Sequence, residues 1–319
     1  MNVPTPIGTT SALSPAGTPL TPYHLTPEQV RFFDDNGYLL LKQWITGSLL
    51  RKLQEAGNIW IQDGLKSDAQ DPNNLDYSFA IRNGGRVMFR VDYVHNKGQQ
   101  CSLEMLGSPQ VLAVAESLCG RNFVPTYESM VFKQTGDGEA VQWHQDAVHP
   151  RNYRIFNYDL YLDASRSGAG ALRVLPKTQA HKQEICDFKD KGWEPEGMIE
   201  VEMEPGDVLL HDVMVVHGSP RVQGNPLRRT IYYEFRAAEE ILKEGPWDKS
   251  WIDKRLRLVP LGLKAHQRAY PDKDQFSWGV SQEFRPQNVG SEAEELKVAH
   301  LVHSPGSFCS AGDIKIPIK

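Results

Sequence analysis

The segment that best indicates the fold of this chain is Ala140-Val141-Gln142-Trp143-His144-Gln145-Asp146. It is typical of a short β-strand, and successive side chains of a strand point to opposite faces of a sheet. His144 and Asp146 are two residues apart, so a strand places both on one face. The segment therefore predicts a strand that presents an imidazole and a carboxylate side by side.

Further β-type segments surround this one between Val124 and Arg236. Clusters of Gly, Pro and Asn or Asp separate them, which is typical of turns between short strands. Such a series predicts a sandwich or barrel of the jelly-roll type and not an alternating βα sheet. The predicted strands are Tyr127–Gln134, Ala140–Asp146, Asn157–Asp163, Ala171–Pro176, Met198–Met203, Asp207–His217 and Arg229–Phe235.

Helices are predicted to flank these strands. Thr26-Pro27-Glu28-Gln29 is typical of a helix start, because Thr caps, Pro suits the first helical position and an acid suits the first turn. Asn36-Gly37 ends this helix, and a short strand is expected directly after it. The other predicted elements are the strand Tyr38–Leu41 and the helices Ser48–Asp63, Pro109–Cys119 and Trp247–Leu263, the last limited by Pro260 and Gly262.

The chain is predicted to form one domain with extensions. Residues 1–23 are rich in Pro, Thr, Ser and Gly and lack a periodic apolar pattern, which is typical of a flexible arm. A single domain is expected over residues 24–319. Its β core is expected at about residues 124–236, followed by a C-terminal extension at 237–319.

Composition excludes several classes of protein. The 319 residues are 40% hydrophobic and 24% charged, with a formal net charge of −5, so the chain offers no basic footprint for nucleic acid. No apolar run is long enough to cross a bilayer, and the N-terminus lacks the pattern of a secretory signal. Four scattered cysteines argue against a disulfide framework or a structural zinc site. We expect a cytoplasmic protein without nucleic-acid or membrane partners; its oligomeric state is not predicted.

A second histidine completes a candidate metal-binding set. His217 lies in His217-Gly218-Ser219, at the end of a later predicted strand. Two imidazoles and one carboxylate can occupy one face of an octahedral Fe(II) and leave the opposite positions open for a co-substrate and O2. His211 shares the predicted strand of His217 and competes with it as a ligand. Gly218-Ser219 after His217 favours His217, with His211 as a supporting or core histidine.

An arginine follows at a spacing that suits a carboxylate anchor. Arg228 is eleven residues after His217 (228 − 217 = 11) and precedes the last predicted strand. Its planar guanidinium can grip a carboxylate bidentately, as a dicarboxylic 2-oxo acid requires. Arg229 shares its face of this strand with the apolar side chains. If those side chains faced the interior of the barrel, Arg229 would point inward instead. The two arginines remain alternatives, and Arg228 is preferred if the barrel interior is polar.

In order and spacing, a series of motifs resembles the phytanoyl-CoA dioxygenase family. The likeness extends over roughly Leu25 to Arg236 and includes the first helix and strand. Its motifs are His144-Gln145-Asp146, Gly170-Ala171-Leu172-Arg173-Val174-Leu175-Pro176, Gly206-Asp207-Val208-Leu209-Leu210-His211, His217-Gly218-Ser219 and Arg228.

The resemblance implies a double-stranded β-helix, mainly β with flanking α-helices, that binds Fe(II) and 2-oxoglutarate. Such enzymes use O2, release succinate and CO2, and oxidise a C–H bond of a small-molecule substrate. His144, Asp146 and His217 match the metal ligands. Asp146 also argues against halogenation, because related iron halogenases have Ala or Gly at that position to admit chloride.

The resemblance also implies residues that contact the co-substrate. Arg228 matches the clamp on the distal carboxylate of 2-oxoglutarate, assisted by the hydroxyl of Ser219. Gln145 and Met130 match positions close to the co-substrate, and Arg90 is a looser match to a basic residue that reaches one of its carboxylates.

Two other functions remain as alternatives. One is a jelly-roll protein that binds metal without turnover, although an intact ligand set with an intact arginine weighs against it. The other is a zinc hydrolase built from the same His, Asp and His residues. That enzyme needs a general base, for which Glu139 is the nearby carboxylate in sequence, and it leaves Arg228 without a purpose.

Overall fold

The computed structural model describes residues 21–82, 84–133, 140–221, 227–287, 291–296 and 307–308. Of the predicted N-terminal arm, residues 1–23, these ranges include 21–23. Glu139, the candidate base of the hydrolase alternative, also lies outside them.

Two antiparallel sheets form the centre of the fold. The major sheet has the order β1-β9-β6-β11-β4-β3-β2, and the minor sheet has the order β12-β5-β10-β7-β8. This architecture confirms the prediction of a mainly β, jelly-roll fold. The strands are β1 (Tyr38–Leu41), β2 (Tyr77–Arg82), β3 (Gly85–Asp92), β4 (Phe123–Lys133), β5 (Val141–Gln145), β6 (Phe156–Tyr161), β7 (Leu172–Leu175), β8 (Ile199–Val201), β9 (Val208–Asp212), β10 (Val216–Ser219), β11 (Arg228–Ala237) and β12 (Ser307–Phe308).

Helices cover the outer face of the major sheet, where the main apolar core lies. Trp60 of the longest helix and Tyr233 and Phe235 of β11 are fully buried members of this core. No described helix has both the length and the apolar character needed to cross a membrane. The helices are α1 (Pro27–Asn36), α2 (Gly47–Gln70), α3 (Cys101–Leu106), α4 (Pro109–Cys119), α5 (Cys186–Asp190), α6 (Ala238–Glu244), α7 (Lys249–Leu256), α8 (Leu258–Ala269) and α9 (Glu292–Glu295).

Helix α1 and strand β1 follow the sequence prediction closely. Thr26 accepts a hydrogen bond from the backbone N–H of Gln29, and the Gln29 side chain returns one to Thr26, which completes a capping box. Gly37 ends the helix with a φ of 77°, a left-handed conformation that favours glycine. Strand β1 then pairs with β9 of the major sheet, so the N-terminal elements are tied to the β core.

The predicted strand Asp207–His217 is wrong as a single element. It is two strands, β9 in the major sheet and β10 in the minor sheet, joined by a turn after Asp212. The side-chain carboxylate of Asp212 accepts a hydrogen bond from the backbone N–H of Met214. The backbone carbonyl of Asp212 accepts one from the backbone N–H of Val215. The turn residues are apolar, so the sequence gives no turn signal there.

Other boundaries also differ from the prediction. Helix α2 extends to Gln70, beyond the expected end at Asp63. The predicted helix Trp247–Leu263 is two helices, α7 and α8, and Pro260 is accommodated as the third residue of α8. A proline in the first helical turn costs no hydrogen bond, because that N–H has no partner within the helix.

Strand β11 shows how the major sheet separates a polar face from an apolar one. Ile231, Tyr233 and Phe235 belong to the main core, so their face of the sheet is the outer one. Arg228, Thr230, Tyr232 and Glu234 lie on the opposite, inner face, because strand side chains alternate. The polar residues of this strand therefore point toward the minor sheet.

The C-terminal helix α8 packs closely on α3. A Cβ atom added to Gly107 would lie 2.0 Å from the carbonyl oxygen of Gly262, which is backbone and has no room to move. We expect Gly107→Ala to lower the free energy of unfolding by about 1–3 kcal/mol, the usual cost of overpacking. Chemical denaturation checks this value against Gly85→Ala, an exposed strand position where an added Cβ atom would meet only an ordinary contact of 3.7 Å. Equal effects of the two changes would contradict the close packing.

Candidate active site

Three potential ligands converge on the inner side of the minor sheet. His144 of β5 pairs directly with His217 of β10, and Asp146 follows immediately after β5. The Nε2 atoms of His144 and His217 lie 3.3 and 3.8 Å from Asp146 Oδ1. One ligand atom from each residue falls within 4.8 Å of the others. The strand pairing thus assembles the set that the sequence pattern predicts.

Backbone carbonyls fix the orientation of both imidazoles. His144 Nδ1 lies 2.8 Å from the Gln142 carbonyl oxygen, and His217 Nδ1 lies 3.0 Å from that of Val215. A carbonyl only accepts, so each Nδ1 carries the proton and each Nε2 keeps its lone pair. Both lone pairs are directed toward the Asp146 side, which is the arrangement that metal-binding histidines need.

The electrostatics also suit a divalent cation. Burial, reinforced by the neighbouring His144, lowers the pKa of His217 to about 3, so this imidazole is neutral. Burial raises the pKa of Asp146, but His217, His144 and His211 outweigh it and bring this pKa well below its usual range. Two imidazoles and one carboxylate suit Fe(II) better than Mg²⁺ or Ca²⁺, which prefer oxygen ligands throughout.

A hydrogen-bonded chain supports the second oxygen of Asp146. Asn157 Nδ2 donates to Asp146 Oδ2 at 2.8 Å, and His211 Nε2 lies 3.0 Å from the same oxygen. His211 Nδ1 lies 2.7 Å from the buried Asp159 carboxylate. Burial lowers the pKa of His211, but Asp159 and Asp146 outweigh it and raise this pKa to about 10.

His211 is therefore placed behind Asp146 and not beside His217 in the ligand set. It lies on β9 of the major sheet, whereas His217 lies on β10 of the minor sheet. Its two ring nitrogens face Asp146 and Asp159. Of the two roles considered for His211, this geometry favours support of a metal ligand. Asn157 and Asp159 belong to the same hydrogen-bonded chain, and the sequence did not single them out.

A basic cluster lies further along the same interior. Lys133 of β4 pairs with Arg228 of β11, so both lie at the same end of the major sheet. Lys133 Nζ is 2.9 Å from the hydroxyl of Ser219, which belongs to β10 of the facing sheet. Arg228 donates to the Gly170 carbonyl oxygen. Ser219 is two residues after His217, about 7 Å along the strand. A short dicarboxylate is long enough to reach from this cluster to the metal ligands.

Arg229 has a different environment from Arg228. Its guanidinium faces α2, where it forms two parallel contacts of 2.8 Å with Asp163 and donates to Asn58 and to the Gln54 carbonyl oxygen. These contacts occupy it on the outer face of the sheet. Arg228 is thus the arginine that faces the interior.

Two predicted contact residues point away from this interior. Gln145 is fully buried, and its side chain bonds to the backbone of His181, Gln183 and Met214. Met130 lies against Gly57 of α2, on the outer face. Strand alternation turns each side chain away from its inward-facing neighbours. A role of either residue at the co-substrate site stays a prediction.

Arg90 lies on the inner face, but at a distance from the basic cluster. It is on β3, beside Val131 of β4, and two strand spacings separate it from β11. It forms an ion pair of 3.1 Å with Asp92.

Together, a jelly-roll fold and a His, Asp and His set with a nearby basic cluster define a non-haem iron oxygenase site. A model of the family described as Phytanoyl-CoA dioxygenase (PhyH) matches residues 33–230 of the chain. The chain belongs to the phytanoyl-CoA dioxygenase family. The predicted class is confirmed as a 2-oxoglutarate-dependent dioxygenase, with Fe(II), 2-oxoglutarate and O2 as its cofactor and co-substrates.

Curated relatives and solved structures agree with this assignment. A methylphosphonate hydroxylase of Gimesia maris is 25% identical over 248 residues, 72% of this chain and 87% of that protein. A probable phytanoyl-CoA dioxygenase of Caenorhabditis elegans is 23% identical over 240 residues, 65% of this chain and 74% of that protein. EctD from S. alaskensis with bound Fe has the same fold, with a TM-score of 0.55 at 18% identity over 69% of this chain and 80% of EctD.

Proposed function

We propose that this protein hydroxylates a C–H bond of a small organic molecule, using Fe(II), 2-oxoglutarate and O2 and releasing succinate and CO2. One observation carries the proposal: strand β10 contributes His217 to the metal-binding set and, two residues or about 7 Å further on, Ser219 to the basic cluster. We further propose that residues 24–319 form a single domain and that the protein is cytoplasmic.

His144, Asp146 and His217 would hold Fe(II) in this account. They would hold the ion through three ligand atoms, a set that leaves coordination positions for the reactants. Bound there, Fe(II) would supply the activation of O2 that oxidation of a C–H bond requires. His211 and Asn157 position Asp146 through its Oδ2 atom, which leaves Oδ1 on the side of the two imidazoles.

Arg228, Ser219 and Lys133 would bind the distal carboxylate of 2-oxoglutarate. Arg228 supplies a planar pair of donors, and Lys133 and Ser219 supply single donors from two facing strands. The contact between Lys133 and Ser219 already brings these two groups together across the sheets. A carboxylate that enters between them and Arg228 exchanges water for charge-assisted hydrogen bonds.

Lys133 offers a test of this co-substrate site. We expect Lys133→Met to weaken 2-oxoglutarate binding about 10-fold to 100-fold, because a hydrogen bond to a charged group is lost. Lys133→Arg should restore much of the affinity. Anaerobic titration of the Fe(II) protein with 2-oxoglutarate, followed by charge-transfer absorption, measures both values. Unchanged affinity in Lys133→Met would remove Lys133 from the site.

The relatives support hydroxylation of a small molecule. The methylphosphonate hydroxylase is named for such a reaction, and its match extends over most of both chains. Bound 2-oxoglutarate and 5-hydroxyectoine in a second EctD structure, which has a TM-score of 0.54, illustrate the same class of reaction on this fold.

A comparison of metals distinguishes the proposal from its alternatives. Apo-protein loaded with Fe(II) should convert 2-oxoglutarate to succinate in air, at a slow rate without substrate, and protein loaded with Zn²⁺ should not. If the protein binds metal but forms no succinate with any compound of a broad substrate screen, the result would favour a non-catalytic metal-binding protein. Hydrolysis of ester or amide probes by the Zn²⁺ form would favour the hydrolase.

A further inference from the structure

We propose that, when no substrate is bound, the protein hydroxylates the ring of its own Tyr232. The inference rests on the proposed function, because the reaction uses the same Fe(II), 2-oxoglutarate and O2. It also places Tyr232 on the substrate side of the metal-binding set, since the group that lies there is the group that is oxidised.

Tyr232 lies close to the metal-binding set. It is on the inner face of β11, where it pairs with Asp159 of β6. The Asp159 carboxylate contacts His211, which in turn contacts the metal ligand Asp146. Burial raises the pKa of Tyr232 well above its usual value, and the nearby Asp159 and Asp146 carboxylates add to this rise. The Tyr232 phenol is therefore within electrostatic reach of a metal ligand.

The Tyr232 side chain is open to the interior. Strand β11 is central in the major sheet, between β6 and β4, so no sheet edge exposes this side chain. It is nevertheless only half-buried, whereas the adjacent Tyr233 is fully buried in the core. The Tyr233 hydroxyl donates to the Ser102 carbonyl oxygen, but the Tyr232 hydroxyl forms no hydrogen bond with any residue that the structure describes. No structural contact of its hydroxyl holds Tyr232 in place.

Spacing along the strands puts Tyr232 beyond the reach of bound 2-oxoglutarate. On β10, Ser219 of the basic cluster and His217 of the metal-binding set are about 7 Å apart. On β11, the same distance leads from Arg228 to Thr230, and Tyr232 lies about 13 Å from Arg228. A co-substrate that extends from the cluster to the metal ends before Tyr232. The ring is thus on the side where a substrate would approach.

Other tyrosines of the inner face are held away from this position. Tyr161 is buried and pairs with Thr230, one step nearer the basic cluster. Tyr127 donates its hydroxyl to Asp92, on the far side of β4 from β11. Tyr232 therefore combines an electron-rich ring, an accessible side chain and a place beside the metal ligands.

The proposed reaction balances without a further reductant. 2-Oxoglutarate loses CO2 and becomes succinate, which takes one oxygen atom of O2. The other oxygen atom is inserted into a ring C–H bond beside the hydroxyl of Tyr232, which becomes C–OH and leaves a catechol. A bound substrate would take this oxygen atom instead and would protect the ring.

A paramagnetic ion tests the position of the ring without any turnover. The protein is labelled with 3-fluorotyrosine, and the ¹⁹F NMR signals are assigned with Tyr232→Phe and Tyr233→Phe. Metal-free protein is titrated with Co(II), whose effect on a signal falls steeply with distance, and with diamagnetic Zn(II) as the control. We expect Co(II) to shift or broaden the signal of Tyr232 much more than that of Tyr233.

Mass spectrometry tests the reaction itself. Unlabelled protein is incubated with Fe(II) and 2-oxoglutarate under ¹⁸O₂, without substrate, and its peptides are analysed. Wild type and Tyr233→Phe should gain one ¹⁸O atom on Tyr232, in an amount that rises with succinate, and Asp146→Ala should gain none. Tyr232→Phe should bind 2-oxoglutarate with wild-type affinity in anaerobic titration.

Three results would overturn the inference. These are a Co(II) effect on Tyr232 no larger than that on Tyr233, succinate formation by wild type without oxygen on Tyr232, and weakened 2-oxoglutarate binding in Tyr232→Phe. The last would move Tyr232 to the co-substrate site. Wild type that forms no succinate at all is a separate result, because it would contradict the proposed function itself.

Discussion

Asp146→Ala is expected to abolish succinate formation and to weaken metal binding by more than about 100-fold. Loss of residues that merely support a metal ligand already costs roughly 10-fold to 100-fold, and Asp146 is the anionic ligand itself. The variant also leaves His211 and Asn157 without their shared acceptor. Activity and metal affinity should therefore fall together.

Thermal unfolding separates this effect from misfolding. A metal present at 100 times its Kd stabilises the folded state by about 2.7 kcal/mol, which raises the melting temperature. Wild type should show this rise with Fe(II), and Asp146→Ala should not, while the metal-free proteins melt at similar temperatures. Asp187→Ala, at an exposed acid far along the chain, should behave as wild type. A metal-dependent rise that survives in Asp146→Ala would show that the ion binds elsewhere.

Two adjacent arginines should give opposite results when each is replaced by alanine. Arg228→Ala should weaken 2-oxoglutarate binding by about 100-fold or more, equivalent to about 2.7 kcal/mol, and should leave the fold intact. Arg229→Ala should instead destabilise the protein by about 1–3 kcal/mol, since it leaves the partly buried Asp163 carboxylate without its ion-pair partner. The reason is that Arg229 binds Asp163, Asn58 and the Gln54 carbonyl group on the helix-covered face.

The two measurements are urea denaturation and anaerobic titration with 2-oxoglutarate. If Arg229→Ala fails to fold, Arg229→Lys provides a milder change with the same expected direction. Loss of 2-oxoglutarate binding in Arg229→Lys, with normal binding in Arg228→Ala, would exchange the roles of the two residues.

The parts of the fold that were predictable have strong local signals. Thr26, Gln29 and Gly37 mark the ends of α1, and Pro109 with Gly120 marks those of α4. The spacing of His144 and Asp146 fits a strand, and β5 contains His144 and ends one residue before Asp146. These features depend on backbone preferences within a few residues, which a single sequence reveals.

The parts that were not predictable depend on contacts between distant segments. Nothing near Lys133 indicates that its amine crosses to Ser219, because that contact exists only once the two sheets face each other. The orientations of the Gln145 and Met130 side chains were not predictable for a related reason: a motif gives a residue's position in the chain, but the strand decides its face. The hairpin of β2 and β3, which carries Arg90, was not among the predicted strands.

The central claim, that this site couples O2 to the decarboxylation of 2-oxoglutarate, is tested most directly by isotope labelling. Wild type and Asp146→Ala are incubated with Fe(II) and 2-oxoglutarate under ¹⁸O₂, and the succinate is analysed by mass spectrometry. The account predicts succinate with one ¹⁸O atom from wild type and none from the variant. Unconsumed 2-oxoglutarate, or succinate without ¹⁸O, from wild type would contradict it.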